Sequence, residues 1–329
     1  MKLRQLMLGL LAVDALFCAQ CSSPPTLDEK RAAILGDVIT QVDQDLLMTN
    51  VEEFVDAHDT DIPVVCSGSE GCTLTHENAR ALMRQKFELL GFTVDSDLMV
   101  DGNYTTENLI AEKKGTTHPD EIVFVGAHYD AWHSGADDNS TGVAAVLEIA
   151  RVLQNRDFSR TIRFIGFDLE EIGLVGSTRY ATTAASSENI VGAIVFDCIG
   201  FRSFEPNSQN SLPGFPAPSV GNFIAVIGNA HSSKLSDDAW LVQERLGVVD
   251  VVGIDSAGSS DSPAAGNLMR SDHAPFWIQG KPALFITDTA NFRNPHYHEP
   301  TDVVSTLDPA FLKSVTQLSA ALIAYWAGG

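Results

Sequence analysis

The chain has 329 residues, of which 44% are apolar, so it is long enough to bury one large hydrophobic core or two ordinary ones. It carries 43 acidic and 21 basic side chains, which give a formal net charge of -22 at pH 7. No Lys/Arg-rich stretch offers a footprint for a phosphate backbone. We therefore expect no nucleic-acid partner.

The first residues have the pattern of an export signal. Lys2 and Arg4 precede a mostly apolar stretch over residues 6–17, which is too short to span a membrane. We predict a signal peptide over residues 1–21 and a polar linker over residues 22–30. This pattern predicts a protein that is secreted or periplasmic.

Two features of the leader leave other arrangements open. Cys18 and Cys21 are compatible with a lipid-anchored form, and Asp14 inside the apolar stretch is compatible with an uncleaved interfacial helix. No other stretch reaches the length of about 18 consecutive apolar residues that a transmembrane helix needs. We therefore expect no stable membrane span in the mature protein.

The remaining cysteines divide into a pair and a single residue. Cys66 and Cys72 are separated by a Gly/Ser/Glu loop that could close into a small ring. Because export favours disulfide formation, we predict a bridge between them; two unconnected thiols are the alternative. Cys198 lies in an apolar run, and we expect it to be a buried small hydrophobe.

Apolar periodicity predicts a series of helices and strands after the linker. In chain order, the pattern predicts helices over 31–57 and 76–90, strands over 93–100, 108–112 and 121–127, a helix over 142–153, a strand over 161–167, a helix over 177–184, strands over 190–196 and 223–227, a helix over 236–246, a strand over 248–254, a helix over 272–279, a strand over 282–287 and a last helix over 309–326. Continuous apolar strands with interleaved helices predict an α/β fold of three layers, with helices on both faces of a largely parallel, mixed central sheet. No composition break separates two cores, so we predict a single domain over residues 31–329.

Imidazole and carboxylate side chains follow several predicted strands where each strand ends. They are His128, Asp130, Asp137, Asp138, Asp168, Glu170, Glu171, Asp197, Asp288, His296, His298 and Asp302. The carboxyl ends of the strands are where ligands bind in such sheets. Desolvation and mutual repulsion would raise the pKa values of so many buried acids unless cations were present. Because nitrogen and oxygen ligands without thiolates suit catalytic zinc, the pattern predicts a metal centre at this edge.

The ligand types also fit a pair of ions. Two histidines and three carboxylates, one of them bridging, can hold two ions about 3.5–4 Å apart that share a water. Each motif alone has a simpler interpretation: a structural hydrogen bond for His-Tyr-Asp, a solvated surface for Glu-Glu, and a helix N-cap for Asp-Asp-Asn-Ser. Their occurrence together, each at a strand end, favours the metal centre.

These motifs resemble the di-zinc aminopeptidase family of secreted bacterial leucyl aminopeptidases, which are clan MH metallopeptidases related to glutamate carboxypeptidases and glutaminyl cyclases. The resemblance covers about residues 75–325 and is carried by His-Xaa-Asp, Gly-Ala-Asp-Asp-Asn-Xaa-Xaa-Gly, Glu-Glu-Xaa-Gly-Xaa-Xaa-Gly-Ser, a strand-terminal Asp and a late His-Xaa-Pro-Xaa-Asp. It implies a zinc exopeptidase domain of the phosphorylase/hydrolase-like fold. It also implies two Zn²⁺ per chain.

The resemblance implies a ligand set for each ion. His128 and Asp197 are expected to bind one zinc, and Glu171 and His298 the other. Asp137 is expected to bridge them. The chain would then hold each ion through three protein ligands and leave a position open for substrate or water.

Three further side chains are expected to support the chemistry. Glu170 is implied to be the general base, since a carboxylate that binds no metal can take a proton from water and deliver it to the leaving amine. Asp130 is placed two residues after His128 to hold its imidazole from behind. Tyr297 resembles a family tyrosine that donates to the developing oxyanion, with a core or rim tyrosine as the alternative.

The resemblance implies a secreted exopeptidase that acts on peptides with a free N-terminus, with leucine-like residues as the default specificity, and we expect a monomer. A related metallo-carboxypeptidase or dipeptidase would carry a dimerisation domain after the Glu-Glu motif, whereas Asp197 follows Glu171 by only 26 residues. A glutaminyl cyclase would lack the first histidine ligand, whereas His128 is present. An inactive receptor-like binding module would show substitutions among the ligands, and there are none.

Overall fold

A computed structural model describes residues 3–5, 27–63, 73–101, 104–212, 216–255 and 266–328. The predicted leader, apart from residues 3–5, and the predicted Cys66–Cys72 bridge lie outside the described residues. Within the described ranges, no helix is both long and apolar enough to cross a bilayer.

The elements alternate between strands and helices, as the apolar periodicity predicts. In chain order they are β1 (Leu3–Gln5), α1 (Glu29–Thr40), α2 (Gln44–Asp59), β2 (Leu74–Thr75), α3 (Glu77–Leu89), β3 (Val94–Asp101), β4 (Tyr104–Lys113), β5 (His118–His128), β6 (Ala131–Trp132), α4 (Gly142–Leu153), β7 (Arg160–Phe167), α5 (Val175–Thr182), β8 (Asn189–Phe196), β9 (Ile224–Gly228), α6 (Ser233–Leu246), β10 (Val251–Asp255), α7 (Ala274–Ile278), β11 (Leu284–Thr287) and α8 (Pro309–Ala327). Short 3-10 turns lie at Ala184–Ser187, Ala230–Ser232, Asn267–Met269, Ala290–Phe292 and Val304–Thr306. The single helix predicted over residues 31–57 is wrong, because the chain forms two helices there.

The break between α1 and α2 has a local and a distant cause. The Asp43 carboxylate caps α2 by accepting hydrogen bonds from the backbone N–H groups of Asp45 and Leu46 at 2.8 and 3.2 Å. The backbone N–H of Asp43 itself donates to Glu148 Oε1 at 2.6 Å. Since Glu148 is a buried residue of α4, this contact fixes where the second helix begins.

The central sheet is mixed, with the strand order β1-β10-β9-β11-β8-β5-β7-β4-β3. Its four central strands, β11, β8, β5 and β7, run parallel to one another, and antiparallel pairs flank them. In register, His128 of β5 lies beside Phe167 of β7, and Ala127 lies beside Phe196 of β8. The residues that follow these strands therefore emerge at one edge of the sheet.

Helices pack on both faces of this sheet. Successive strand residues point to opposite faces, so Val123 and Val125 of β5 join the core beneath α4 and α8, while Phe124 joins the core beneath α5 and α7. On that second face the ring centroids of Phe124 and Phe276 lie 4.8 Å apart. The predicted three-layer α/β fold is confirmed.

Candidate metal centre

Three groups of potential metal ligands lie at the carboxyl edge of the central strands: His128, Glu170 and Glu171 form one, and the other two share Asp138. Of these two, one comprises His128, Asp138 and Asp197, and the other comprises Asp138, Glu171 and His298. Within each group the ligand atoms lie within 4.8 Å of one another. Asp138 Oδ1 is 3.3 Å from His128 Nε2, and Asp138 Oδ2 is 3.1 Å from His298 Nε2. The two oxygens of one carboxylate thus face different groups.

The ends of three strands and the Asp130 carboxylate position these side chains. His128 is the last residue of β5, and Asp197 directly follows β8. After β7, the backbone N–H groups of Glu170 and Glu171 donate to Asp130 Oδ1 and Oδ2 at 3.0 and 3.1 Å. The Asp130 carboxylate therefore ties the Glu-Glu turn to the end of β5.

The structure corrects the prediction that Asp137 lies between the two groups. The Asp137 carboxylate is turned away and accepts hydrogen bonds from the backbone N–H of Gly200 at 2.8 Å and from Asn294 Nδ2 at 2.7 Å. Its neighbour Asp138 takes the shared position instead. These two hydrogen bonds hold the Asp137 carboxylate against the loops that carry Gly200 and Asn294.

The irregular turn Ala136–Thr141 explains which of the two aspartates faces the site. The Asp302 carboxylate accepts hydrogen bonds from the backbone N–H groups of both Asp137 (2.9 and 3.1 Å) and Asp138 (3.1 Å). Asp138 has non-helical angles, φ -109° and ψ 87°, so the two side chains leave the turn in different directions. Gly135 starts the turn at φ 54°, where a Cβ atom would lie 2.6 Å from the backbone oxygen of Asp138.

The hydrogen bonding of His128 fits a metal ligand. His128 Nδ1 lies 3.0 Å from the backbone oxygen of Asp130, closer than the 3.5 Å to the Asp130 carboxylate that the sequence predicts as its support. A carbonyl oxygen only accepts, so Nδ1 carries a hydrogen, and whenever the ring is neutral its lone pair is on Nε2. Among the described residues, the buried atoms His128 Nε2, Asp138 Oδ2 and Glu171 Oε1 have no hydrogen-bond partner. Buried nitrogen and oxygen atoms without hydrogen-bond partners are the types of atom that zinc prefers as ligands.

Burial and neighbouring charges shift the pKa values of Glu170, Glu171 and His298. Burial, together with the charge of Asp138, raises the pKa of Glu171 to about 8. Burial lowers the pKa of His298, but its contacts with Asp138 and Glu171 outweigh burial and raise that pKa to about 10. Burial also raises the pKa of Glu170 well above its ordinary value, although the charge of His128 opposes the shift. Burial of this kind favours the protonated form of the Glu170 carboxyl, which suits a group that accepts and returns a proton.

An apolar cleft opens beside Asp197, a member of one of the groups that contain Asp138. Its apolar wall comprises Leu212, Ile227, Ile254, Leu268, Phe285 and Phe292. Asp197 and Tyr297 also line it, so the cleft adjoins the candidate ligands directly. The Tyr297 ring stacks on the His298 imidazole with 3.9 Å between ring centroids and 18° between the ring planes.

Comparison with known proteins identifies the family: residues 108–323 match Peptidase family M28. The chain belongs to Peptidase family M28. Aminopeptidase YwaD of Bacillus subtilis is 30% identical over 75% of this M28 chain and 49% of its own length. Leucine aminopeptidase 2 of Trichophyton rubrum is 35% identical over 68% of this chain and 46% of its own length. The uncharacterised protein YfbL of Escherichia coli is 32% identical over 61% of this chain and 65% of its own length, so the chain spans less than two thirds of each of these relatives.

Solved structures show the same fold. A zinc aminopeptidase from Bacillus subtilis aligns with a TM-score of 0.53 and 26% identity, over 69% of this M28 chain and 51% of that structure. LapA aminopeptidase of Legionella pneumophila aligns with a TM-score of 0.68 and 19% identity over 94% and 78% of the two chains. Glutaminyl cyclase of Porphyromonas gingivalis aligns with a TM-score of 0.59 and 18% identity over 86% and 98%. At these identities, the last two matches show the fold alone.

Sequence reasoning about this M28 chain preferred His298 to His296, and the structure places the two histidines differently. His296 Nδ1 lies 2.9 Å from Thr301 Oγ1, outside all three ligand groups, whereas His298 belongs to the group with Asp138 and Glu171. The spacing of His298 from Pro300 favours the same residue in the sequence.

Two acids of the M28 site had no assigned role in the sequence. Asp302 supports the turn that carries Asp138. Its position in the late His-Xaa-Pro-Xaa-Asp motif is the sequence feature that could have indicated this role. Asp272 is completely buried in the Ser271-Asp272-His273 segment, and burial raises its pKa to about 7. Among the described residues, neither oxygen of Asp272 has a hydrogen-bond partner.

Proposed function

We propose that this M28 protein is an aminopeptidase that hydrolyses the N-terminal peptide bond of peptides with a co-catalytic pair of zinc ions. The observation that carries the proposal is the shared Asp138 carboxylate. Asp138 with His128 and Asp197 would hold one ion. The same carboxylate with Glu171 and His298 would hold the other. Each group then supplies three nitrogen or oxygen ligands, as catalytic zinc sites do.

The protein side chains have distinct tasks in the proposed reaction. Bound zinc supplies Lewis acidity that polarises the scissile carbonyl and makes water a better nucleophile. Glu170 forms a third group with His128 and Glu171 but belongs to neither group that contains Asp138, so in this proposal its carboxylate takes a proton from the attacking water. The same carboxyl then delivers that proton to the nitrogen of the leaving amine. The anchoring of the Glu170 backbone to Asp130 holds this side chain at the site.

Two other groups face the substrate in this proposal. The Tyr297 hydroxyl donates to the carbonyl oxygen as negative charge develops there. The apolar cleft beside Asp197 receives the first side chain of the substrate, which favours leucine-like N-terminal residues. The aminopeptidase relatives support removal of N-terminal residues over the alternatives, which are carboxypeptidase, dipeptidase and cyclase action.

Four reporter substrates distinguish these activities in one purified preparation. We expect a leucine p-nitroanilide to be cleaved, its N-acetylated form to be inert, and zinc to be present by metal analysis of the same sample. Release of a C-terminal amino acid from an N-blocked dipeptide would favour a carboxypeptidase. Formation of pyroglutamate from an N-terminal glutamine peptide would favour a cyclase.

A further inference from the structure

Arg270 lies at the rim of the apolar cleft and contacts the proposed oxyanion donor. Its Nη2 is 3.1 Å from the Tyr297 hydroxyl oxygen, and its Nη1 is 2.8 Å from Asn291 Oδ1. The guanidinium carbon lies 5.7 Å from the centre of the Tyr297 ring. All three side chains line the same cleft as Asp197.

The donor inventory of arginine determines what the Tyr297 hydroxyl can do. A guanidinium group has only N–H donors, so the Tyr297 oxygen accepts from Arg270 and cannot donate to it. The hydroxyl hydrogen of Tyr297 is therefore left for a different acceptor. Stacking on His298 fixes the ring, and the cleft that Tyr297 shares with Asp197 is where a substrate carbonyl would lie.

We propose that Arg270 is a positioning residue that orients the Tyr297 hydroxyl as a hydrogen-bond donor to the substrate carbonyl oxygen. The inference rests on the proposed function, because it needs an oxyanion to form at this site. The positive charge behind the hydroxyl strengthens it as a donor, and the bond to Asn291 holds the guanidinium in place. The effect is largest in the transition state, where the carbonyl oxygen gains negative charge.

The competing role for Arg270 is direct recognition of an acidic substrate side chain. Both of its terminal nitrogens already have partners, Tyr297 and Asn291, and most of the cleft wall is apolar. Positioning therefore fits the contacts better. For Arg270→Met, positioning predicts an unchanged KM for an N-terminal glutamate, whereas direct recognition predicts a raised KM.

A double-mutant cycle on the zinc-loaded full chain tests the proposal. Arg270→Met removes the donors and keeps the aliphatic stem, Tyr297→Phe removes the hydroxyl, and a third variant combines both. Arg245→Met, an exposed arginine on α6, is the matched control. The readouts are kcat and KM for leucine and glutamate p-nitroanilides, zinc content and melting temperature.

We expect Tyr297→Phe to lower kcat by about 10²-fold, the scale for loss of one oxyanion donor. Arg270→Met should lower kcat by about 10-fold, which corresponds to about 1.4 kcal/mol, with KM and zinc content unchanged. In the Tyr297→Phe background the same arginine change should alter kcat by less than about 2-fold, because its target is gone. Arg270→Lys should recover part of the lost kcat, since lysine retains a charged donor.

Other outcomes would overturn the inference. Equal kcat losses from Arg270→Met with and without the Tyr297 hydroxyl would show that Arg270 does not act through it. A raised KM confined to the glutamate substrate would assign Arg270 to substrate recognition. Full activity of Tyr297→Phe would remove the basis of the inference while the proposed function stands. A zinc-loaded wild-type protein that cleaves neither substrate would overturn both.

Discussion

The Glu170→Gln substitution tests whether Glu170 acts in proton transfer and not in metal binding. Glu170→Gln keeps the size of a side chain that is only 8% exposed, so the packing around it should be unchanged. Its backbone bond to Asp130 also remains. The amide cannot accept and return a proton, so kcat should fall by about 10²- to 10⁴-fold. That loss is about 3–5 kcal/mol in the barrier, while zinc content should stay at the wild-type level.

The neighbouring residue supplies the matched control. Glu171 Oε2 lies 3.0 Å from His298 Nε2, and Glu171 belongs to the ligand group that contains Asp138. Glu171→Gln should therefore weaken one zinc site, and excess zinc should restore part of the activity. Metal analysis and kcat for leucine p-nitroanilide, measured on the same samples, distinguish the two variants. If Glu170→Gln loses zinc and Glu171→Gln keeps it, the two roles must be exchanged; if neither alters turnover, the active site lies elsewhere.

Three further predictions concern residues outside the proposed ligand set. Burial lowers the pKa of the His58 imidazole from 6.5 to about 4, so between these pH values only the unfolded chain binds a proton at His58, and up to about 3 kcal/mol of stability is lost as the pH falls. Urea unfolding of the metal-free protein between pH 7 and pH 4 should show a smaller loss of stability for His58→Gln than for the wild type, and an equal loss in both proteins would contradict this prediction. Asp302→Asn should weaken zinc affinity by about 10- to 100-fold in a competition titration, because its carboxylate holds the turn that carries Asp138; unchanged affinity would refute that role. A non-reduced digest of exported protein should contain the linked Cys66–Cys72 peptide, and two free thiols in that sample would exclude the bridge.

The sequence allowed prediction of the secondary-structure elements, and of a cluster of candidate ligands, where these depend on local patterns. Apolar runs marked the central strands, and parallel strands bring the residues after them to one edge, so the strand ends predicted that His128, Glu171 and Asp197 lie close together, whereas their roles as ligands were implied by the family resemblance. His298 followed from its spacing to Pro300 and Asp302. The prediction failed between Asp137 and Asp138, because the spacings of two adjacent carboxylates to every other motif differ by only one position.

Contacts between distant parts of the chain decided the remaining features. Asp302 holds the turn that presents Asp138, and these residues lie 164 positions apart. The break before α2 depends on the bond from Asp43 to Glu148, 105 positions away. The contact of Arg270 with Tyr297 joins two segments that no periodicity relates. Such pairs are fixed by tertiary packing, which the pattern of one segment does not contain.

The central claim is that the Asp138 carboxylate is shared by two zinc ions, and zinc content per chain tests it most directly. Wild-type protein, Asp138→Asn and Asp137→Asn would be saturated with zinc, freed of excess metal and analysed for zinc and protein, with circular dichroism to confirm folding. We expect about two zinc ions in the wild type. Asp137→Asn should keep about two, and Asp138→Asn should retain fewer than one because both groups lose a ligand. Two zinc ions in folded Asp138→Asn, with zinc lost from Asp137→Asn, would contradict the account.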